Sequence, residues 1–164
     1  MTETVVIGLG NDYRGDDGAG LAVARLLRDM GVPAIENGGD PAELIEAWTG
    51  ADVAIVIDAA RSGEPAGTVR CHNDLSHLSG DSSSTHALSL ADAVALARTL
   101  DRLPGKLTIY TVEGATFALG ATLSEPVAEA VTSMAHTIKR DTGLWETSAD
   151  TGKLLPYQHV DDPP

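Results

Sequence analysis

Apolar positions along this chain alternate between a period of two and a period near 3.6, and the changes of period divide it into elements. Val5-Val6-Ile7 is a β-branched run that predicts a buried strand. Gly8-Leu9-Gly10-Asn11 follows with residue types that tolerate a tight turn. Val23, Leu26, Leu27 and Met30 then recur at i, i+3, i+4 and i+7, which predicts an amphipathic helix ending at Gly31. Residues 32–36 predict a short second strand, broken by Asn37-Gly38-Gly39. Asp40-Pro41-Ala42-Glu43 joins an N-cap, a first-turn proline and a capping-box glutamate, so a helix should run through Leu44, Ile45 and Trp48 to a stop at Gly50. Residues 53–57 (VAIVI) form a continuous apolar run, the pattern of a strand covered on both faces, and lead directly into Asp58.

A loop is predicted over residues 61–67 and a strand over 68–72. Residues 73–85 are polar, and Gly80-Asp81-Ser82-Ser83-Ser84-Thr85 predicts a mobile surface loop closed by His86. Ser89-Leu90-Ala91-Asp92 resembles a second capping box, opening a helix through Val94, Leu96, Ala97 and Leu100. Residues 107–112 predict a further strand and 113–123 a glycine-containing loop. The last helix begins at Ser124-Glu125-Pro126 and carries Val127, Val131, Met134 and Ile138 at helical spacing, with Gly143 just past its end. Strands alternating with helices predict an α/β fold, a three-layer α/β/α sandwich with a mostly parallel, twisted sheet of about five strands. Residues 1–143 form one domain on this reading. The acidic, proline-containing stretch 144–164 has no period and is expected to be a poorly ordered tail.

Composition narrows the function. At 164 residues the chain suits one domain with a real core, built from aliphatic side chains because aromatics make up only 4%. A net charge of −13, from 24 acidic and 11 basic residues, argues against nucleic acid and against an anionic membrane surface. No stretch approaches the ~20 apolar residues of a membrane helix, and the amino terminus has no basic leader, so a cytoplasmic protein is expected. A single cysteine excludes an intramolecular disulfide and a cysteine-rich zinc site; Cys71 reads as a buried structural thiol.

The chemistry is concentrated after the first strand. A dinucleotide fingerprint fails there, because Tyr13 stands where the third glycine is required and Asp16-Asp17 would repel a pyrophosphate. Carboxylates in such a turn suit a hard or borderline cation, or else cap the helix that follows. Asp17 follows the first strand, Asp58 the buried third strand, and His86 the Ser-rich loop. In an open sheet the carboxyl ends of neighbouring strands converge on one crevice, so two carboxylates and an imidazole form a plausible divalent-metal set there. The bland alternative is two turn aspartates and a solvated histidine. Neither a G-x-S-x-G elbow nor an H-E-x-x-H motif occurs.

Three blocks together, G-L-G-N-D-Y-R-G-D-D-G-A-G, then V-I-D-A-A at a strand end, then S-T-H-A-L-S-L before a helix, resemble the hydrogenase maturation endopeptidases across residues 5–140. That resemblance implies removal of a C-terminal extension from the nickel-loaded large-subunit precursor of [NiFe] hydrogenase. It implies metal contacts from Asp17, Asp58 and His86, with Asp16 as a supporting or capping group and Asn11 as a turn-stabilising one. Nickel would be supplied by the substrate, and other divalent metals suit the same donor set. Many relatives carry an acidic residue where this chain has Asn37, which keeps a carbonyl oxygen and loses the charge. The expectation is a monomeric endopeptidase whose partner is the precursor. Two alternatives stand beside it, a non-proteolytic module that senses or transfers nickel, and a nucleotide-binding α/β domain.

Overall fold

The computed structural model describes residues 3–73 and 85–151, with the backbone alone for 85–89 and 144–151. Five strands form a single sheet in the order β2-β1-β3-β5-β4. β1 (Thr4–Leu9) and β3 (Val53–Ala60) occupy its middle with β5 (Lys106–Glu113), and the short β2 (Ile35–Asn37) and β4 (Val69–His72) form its edges. All pairings are parallel except β4 with β5, which is antiparallel. The mostly parallel sheet read from the sequence is therefore present, with one reversed edge strand.

Side-chain alternation splits the core into two layers. Val6, Ile55, Ile57, Tyr110 and Val112 face α1 (Ala19–Asp29) and α4 (Glu125–Thr151), where Val23, Leu27, Val127, Met134 and Ile138 close the packing. Ile7, Leu9, Ala54, Val56 and Ile109 face α2 (Pro41–Trp48) and α3 (Thr85–Thr99), meeting Leu44, Trp48, Leu90 and Val94. β3 is apolar on both faces because both layers cover it, as its uninterrupted VAIVI run requires. The scarcity of aromatic residues leaves Trp48 as the largest fully buried side chain among the described residues.

Element starts and ends differ from the sequence expectation in a few places. Asp58 lies inside β3, two residues before its end, because β5 is long enough to pair as far as Ala60 with Glu113. α3 begins at Thr85, four residues before the Ser89 capping box, so His86 sits in its first turn and does not close a loop. Residues 85–100 contain neither glycine nor proline, and Ala87 and Leu88 favour helix, so nothing halts extension back to Thr85. α4 continues through Gly143 to Thr151. Gly143 lacks the positive φ of a helix-ending glycine, and one helical glycine costs only about 1 kcal/mol against alanine. Cys71 is half-buried, packed against the α1/α4 layer, rather than a core thiol. The Ser-rich stretch through Ser84, His77, and the tail from 152 onward lie outside the described residues.

Candidate active site

The chain leaves β1 toward β2 on one side and returns through α2 to β3 on the other, so the strand order reverses between β1 and β3. Helices leaving in opposite directions open a crevice at the carboxyl ends of those two strands. Asn11, Asp17, Asn37 and Asp58 lie at or near these strand ends.

After β1 the backbone makes a tight turn stapled by Asn11. Its side-chain oxygen accepts from the Tyr13 amide at 2.9 Å and its carbonyl from Arg14 at 3.2 Å. A 3-10 turn at Gly15–Gly18 follows and runs straight into α1. Gly10 (φ 152°) lies directly on the Asp17 carbonyl, and the Asn11 amide donates to that same oxygen at 3.2 Å. Any side chain at Gly20 would collide with the Leu9 and Ile57 carbonyl oxygens. The start of α1 is thereby pressed onto the ends of β1 and β3, which carries Asp17 to the strand segment that bears Asp58. Both aspartates are buried. Asp58 Oδ1 accepts from its own neighbour, Ala59 N–H, at 2.8 Å.

Asn37 ends β2 at the same edge. Its carbonyl accepts from Gly10 at 3.2 Å and its side-chain oxygen from Gly39 at 2.8 Å, so it closes an Asx turn. His86 belongs to this edge by backbone placement. α3 feeds β5 from the opposite edge, where Gly105 and Lys106 donate to Ala51 and Asp52. A helix of 15 residues spans ~22 Å, about the height of the sheet, which puts its first turn at the carboxyl end. The His86 side chain is outside the described residues, and among the described residues no three His, Cys, Asp or Glu are grouped to hold a metal.

Asp16 and Asp17 divide their tasks. Rather than capping its own turn, Asp16 reaches about 100 positions along the chain to the loop between β5 and α4. Its Oδ2 accepts from Ala115 N–H at 2.7 Å, Thr116 N–H at 3.0 Å and Ser124 Oγ–H at 2.8 Å, and its Oδ1 from Ser124 N–H at 2.7 Å. The Asp16 amide returns a bond to Thr116 O at 2.8 Å. Burial pushes this carboxyl up, but the bonds from Ser124, Ala115 and Thr116 outweigh it and hold the group below the ordinary aspartate range. Asp16 thus works as a loop anchor.

Sequence reasoning missed Glu113. It ends β5 and is 3% exposed. Its Oε1 accepts from Ser62 and Gly63 amides at 2.8 and 2.9 Å, and its Oε2 from Ser62 Oγ–H at 2.8 Å. The available signal was the acidic residue closing a β-branched strand, Y-T-V-E-G, in the same pattern as V-I-D. Further round the rim, Gly120 donates to Tyr13 O at 2.8 Å, bringing the exposed Tyr13 and Leu119 loops together. Arg61 lies over the Phe117 ring at 5.1 Å from its centroid, linking the loops after β3 and β5.

Among known proteins, a family model described as hydrogenase maturation protease (HycI) matches residues 22–141. No curated protein matches the chain. Solved structures share its architecture. The [NiFe] hydrogenase maturation protease HybD from Thermococcus kodakarensis superposes with a TM-score of 0.74 at 25% identity, covering 85% of this chain and 98% of that one. The hydrogenase maturating endopeptidase HybD from E. coli gives 0.77 at 22% identity, covering 89% and 94%. The hydrogenase 2 maturation peptidase from Thaumarchaeota archaeon SCGC_AB-539-E09 gives 0.61 at 24% identity, covering 87% and 99%. The two likenesses below 25% identity establish a common fold.

Proposed function

The chain belongs to the hydrogenase maturation protease family, and from that premise we propose that it removes the C-terminal extension of a nickel-loaded [NiFe] hydrogenase large-subunit precursor. Asp17, Asp58 and His86 contact the nickel carried by the substrate and so align the scissile peptide beside the crevice. The observation that carries this reading is the convergence of Asp17 and Asp58 at the β1/β3 strand reversal, with the first turn of α3 brought to the same edge. Two carboxylates and an imidazole suit a borderline cation, and the family match supports peptide hydrolysis.

The sequence holds no G-x-S-x-G nucleophile elbow, and on this reading water attacks. Its oxygen bonds to the scissile carbonyl carbon, the C–N bond breaks, and the departing amine takes up a proton. Asn37 supports the turn beside this site through its Asx bond and brings no charge to the metal. The chain acts as a monomeric cytoplasmic protein on this reading. Among the described residues no helix is long and apolar enough to cross a membrane.

The test is a processing assay with purified precursor, with and without nickel. A mobility shift confined to nickel-loaded precursor, and lost in Asp17→Asn, Asp58→Asn and His86→Ala proteins that keep their circular dichroism, is the expected result. Failure to cleave a cognate, nickel-loaded precursor would replace the protease with a nickel-sensing or transfer module. Cleavage of nickel-free precursor would retain the protease and discard nickel recognition. Full activity in any one variant would remove that residue from the site.

A further inference from the structure

Glu113 is a buried carboxylate that the proposed chemistry does not use. Among the described residues its carboxylate accepts three hydrogen bonds, all from one loop, residues 61–67, which leaves β3 two residues after Asp58. The same loop is tied at its other end to the Glu113 backbone, Gly67 N–H donating to Glu113 O and Glu113 N–H to Thr68 O, both at 2.8 Å. Both ends of a seven-residue excursion therefore converge on a single residue. Further along, Glu64 pairs with Arg70 and Thr68 donates to Pro65 O, whereas the loop's start at Arg61, Ser62 and Gly63 is exposed, and Gly63 and Gly67 adopt positive φ. Loops at the carboxyl edge of an α/β sheet form the walls against which a substrate lies.

We propose that Glu113 is a positioning residue: its carboxylate, bonded to the Ser62 and Gly63 amides, pre-orders the 61–67 loop as one wall of the precursor-binding crevice. This rests on the reading of the edge as the place where the precursor docks. A loop already ordered does not have to be immobilised when the precursor binds, so Glu113 acts on affinity more than on the chemical step. Arg61 over Phe117 extends the ordered wall to the loop after β5, which Asp16 anchors from the other side.

Glu113→Met replaces the acceptor with an apolar chain of similar length and orphans two amides. Glu113→Gln can keep an oxygen on both amides and turn its NH2 toward Ser62 Oγ. Three quantities are compared with the wild type in the intact protein: hydrogen exchange of residues 61–67, Kd for nickel-loaded precursor, and kcat and KM for processing. The Met variant should exchange faster at residues 61–67 and weaken Kd and KM by about tenfold, with kcat changed by no more than about twofold. Glutamine should restore most of the loss. A core variant such as Ile138→Val, matched in melting temperature, should leave Kd unchanged. Unchanged Kd in the Met variant, or a loss equal to the matched control's, would overturn the proposal. So would a fall in kcat at constant KM. If the Met variant does not fold, Glu113→Asp, too short by one methylene to reach both amides, carries the same comparison. Wild-type protein that binds precursor without cutting it would sink the protease reading alone, since the Kd arm still judges Glu113.

Discussion

Replacing Asp16 with asparagine tests how the two neighbouring aspartates divide their work. The carboxylate takes four hydrogen bonds between 2.7 and 3.0 Å. An asparagine oxygen at the Oδ2 position can keep Ala115, Thr116 and the Ser124 hydroxyl. Its NH2 then faces the Ser124 amide, donor against donor. The flipped orientation is worse, because the NH2 would face two amides. One orphaned buried N–H costs about 1–3 kcal/mol, and the loss of charge assistance in the remaining bonds adds a similar amount. The expected loss is about 3–5 kcal/mol, a large part of the ~5–15 kcal/mol that holds a domain together. Urea melts at neutral pH would show it directly, as would a fall in Tm of about 10 °C. The pH dependence checks the sign. Because the folded pKa lies below the unfolded value of 3.8, the contribution is fully present above pH 3.8 and is lost as the pH falls through the lower, folded value. The gap between wild type and variant should therefore narrow in acid. A loss under about 1 kcal/mol at neutral pH would refute the anchoring role, and a gap undiminished at pH 2 would refute the part assigned to charge.

Other substitutions probe the frame around the site. Gly20→Ala should destabilise by about 3 kcal/mol or more, since its methyl would meet two backbone carbonyls that cannot rotate away; a near-neutral urea midpoint would contradict the close packing of α1 on β1 and β3. Asp40→Ala removes the α2 cap, which accepts from the Ala42 and Glu43 amides at 2.9 and 3.1 Å, and should cost about 1 kcal/mol by chemical denaturation. Trp48→Phe should cost less than the ~3–5 kcal/mol usual for losing a large buried ring, because Trp48 Nε1 is buried without a partner among the described residues. A loss as large as that of Trp48→Ala would show that the indole N–H is bonded after all.

The sequence announced the layers more clearly than the contacts that lock them. Alternation along β1, β3 and β5 and the 3.6 spacing of α1 are local signals, and they survive in the fold because packing agrees with propensity. The Asp40 cap was legible for the same reason, since donor and acceptor lie within three residues. Helix ends carried by propensity alone were less legible. Ser89 offered a cap that α3 did not use, and Gly143 offered a stop that α4 passed. Asp16 and Glu113 could be recognised only as acidic residues, because their partners stand about 100 and 50 positions away. Asp17 and Asp58 were visible because the first follows β1 and the second closes the apolar run of β3, two strands in the middle of the sheet. Their proximity depends on Gly10 and Gly20, which read as turn formers until the backbone shows what they lie against.

The reach of Asp16 also sets an order on how the molecule comes into being. Asp17 and Asp58 both lie within the first 60 residues, in the β1-α1-β2-α2-β3 half whose strand pairings can begin to form early during synthesis. Yet the anchor of the 3-10 turn is Ser124, 108 positions downstream. A nascent chain arrested after β3 already contains both aspartates but leaves Asp16 facing water, with no loop to grip and α1 free to lift. The crevice is thus finished only when α4 has been made and docked beside α1. In this family member, an ordered site is a sign that synthesis has passed residue 124.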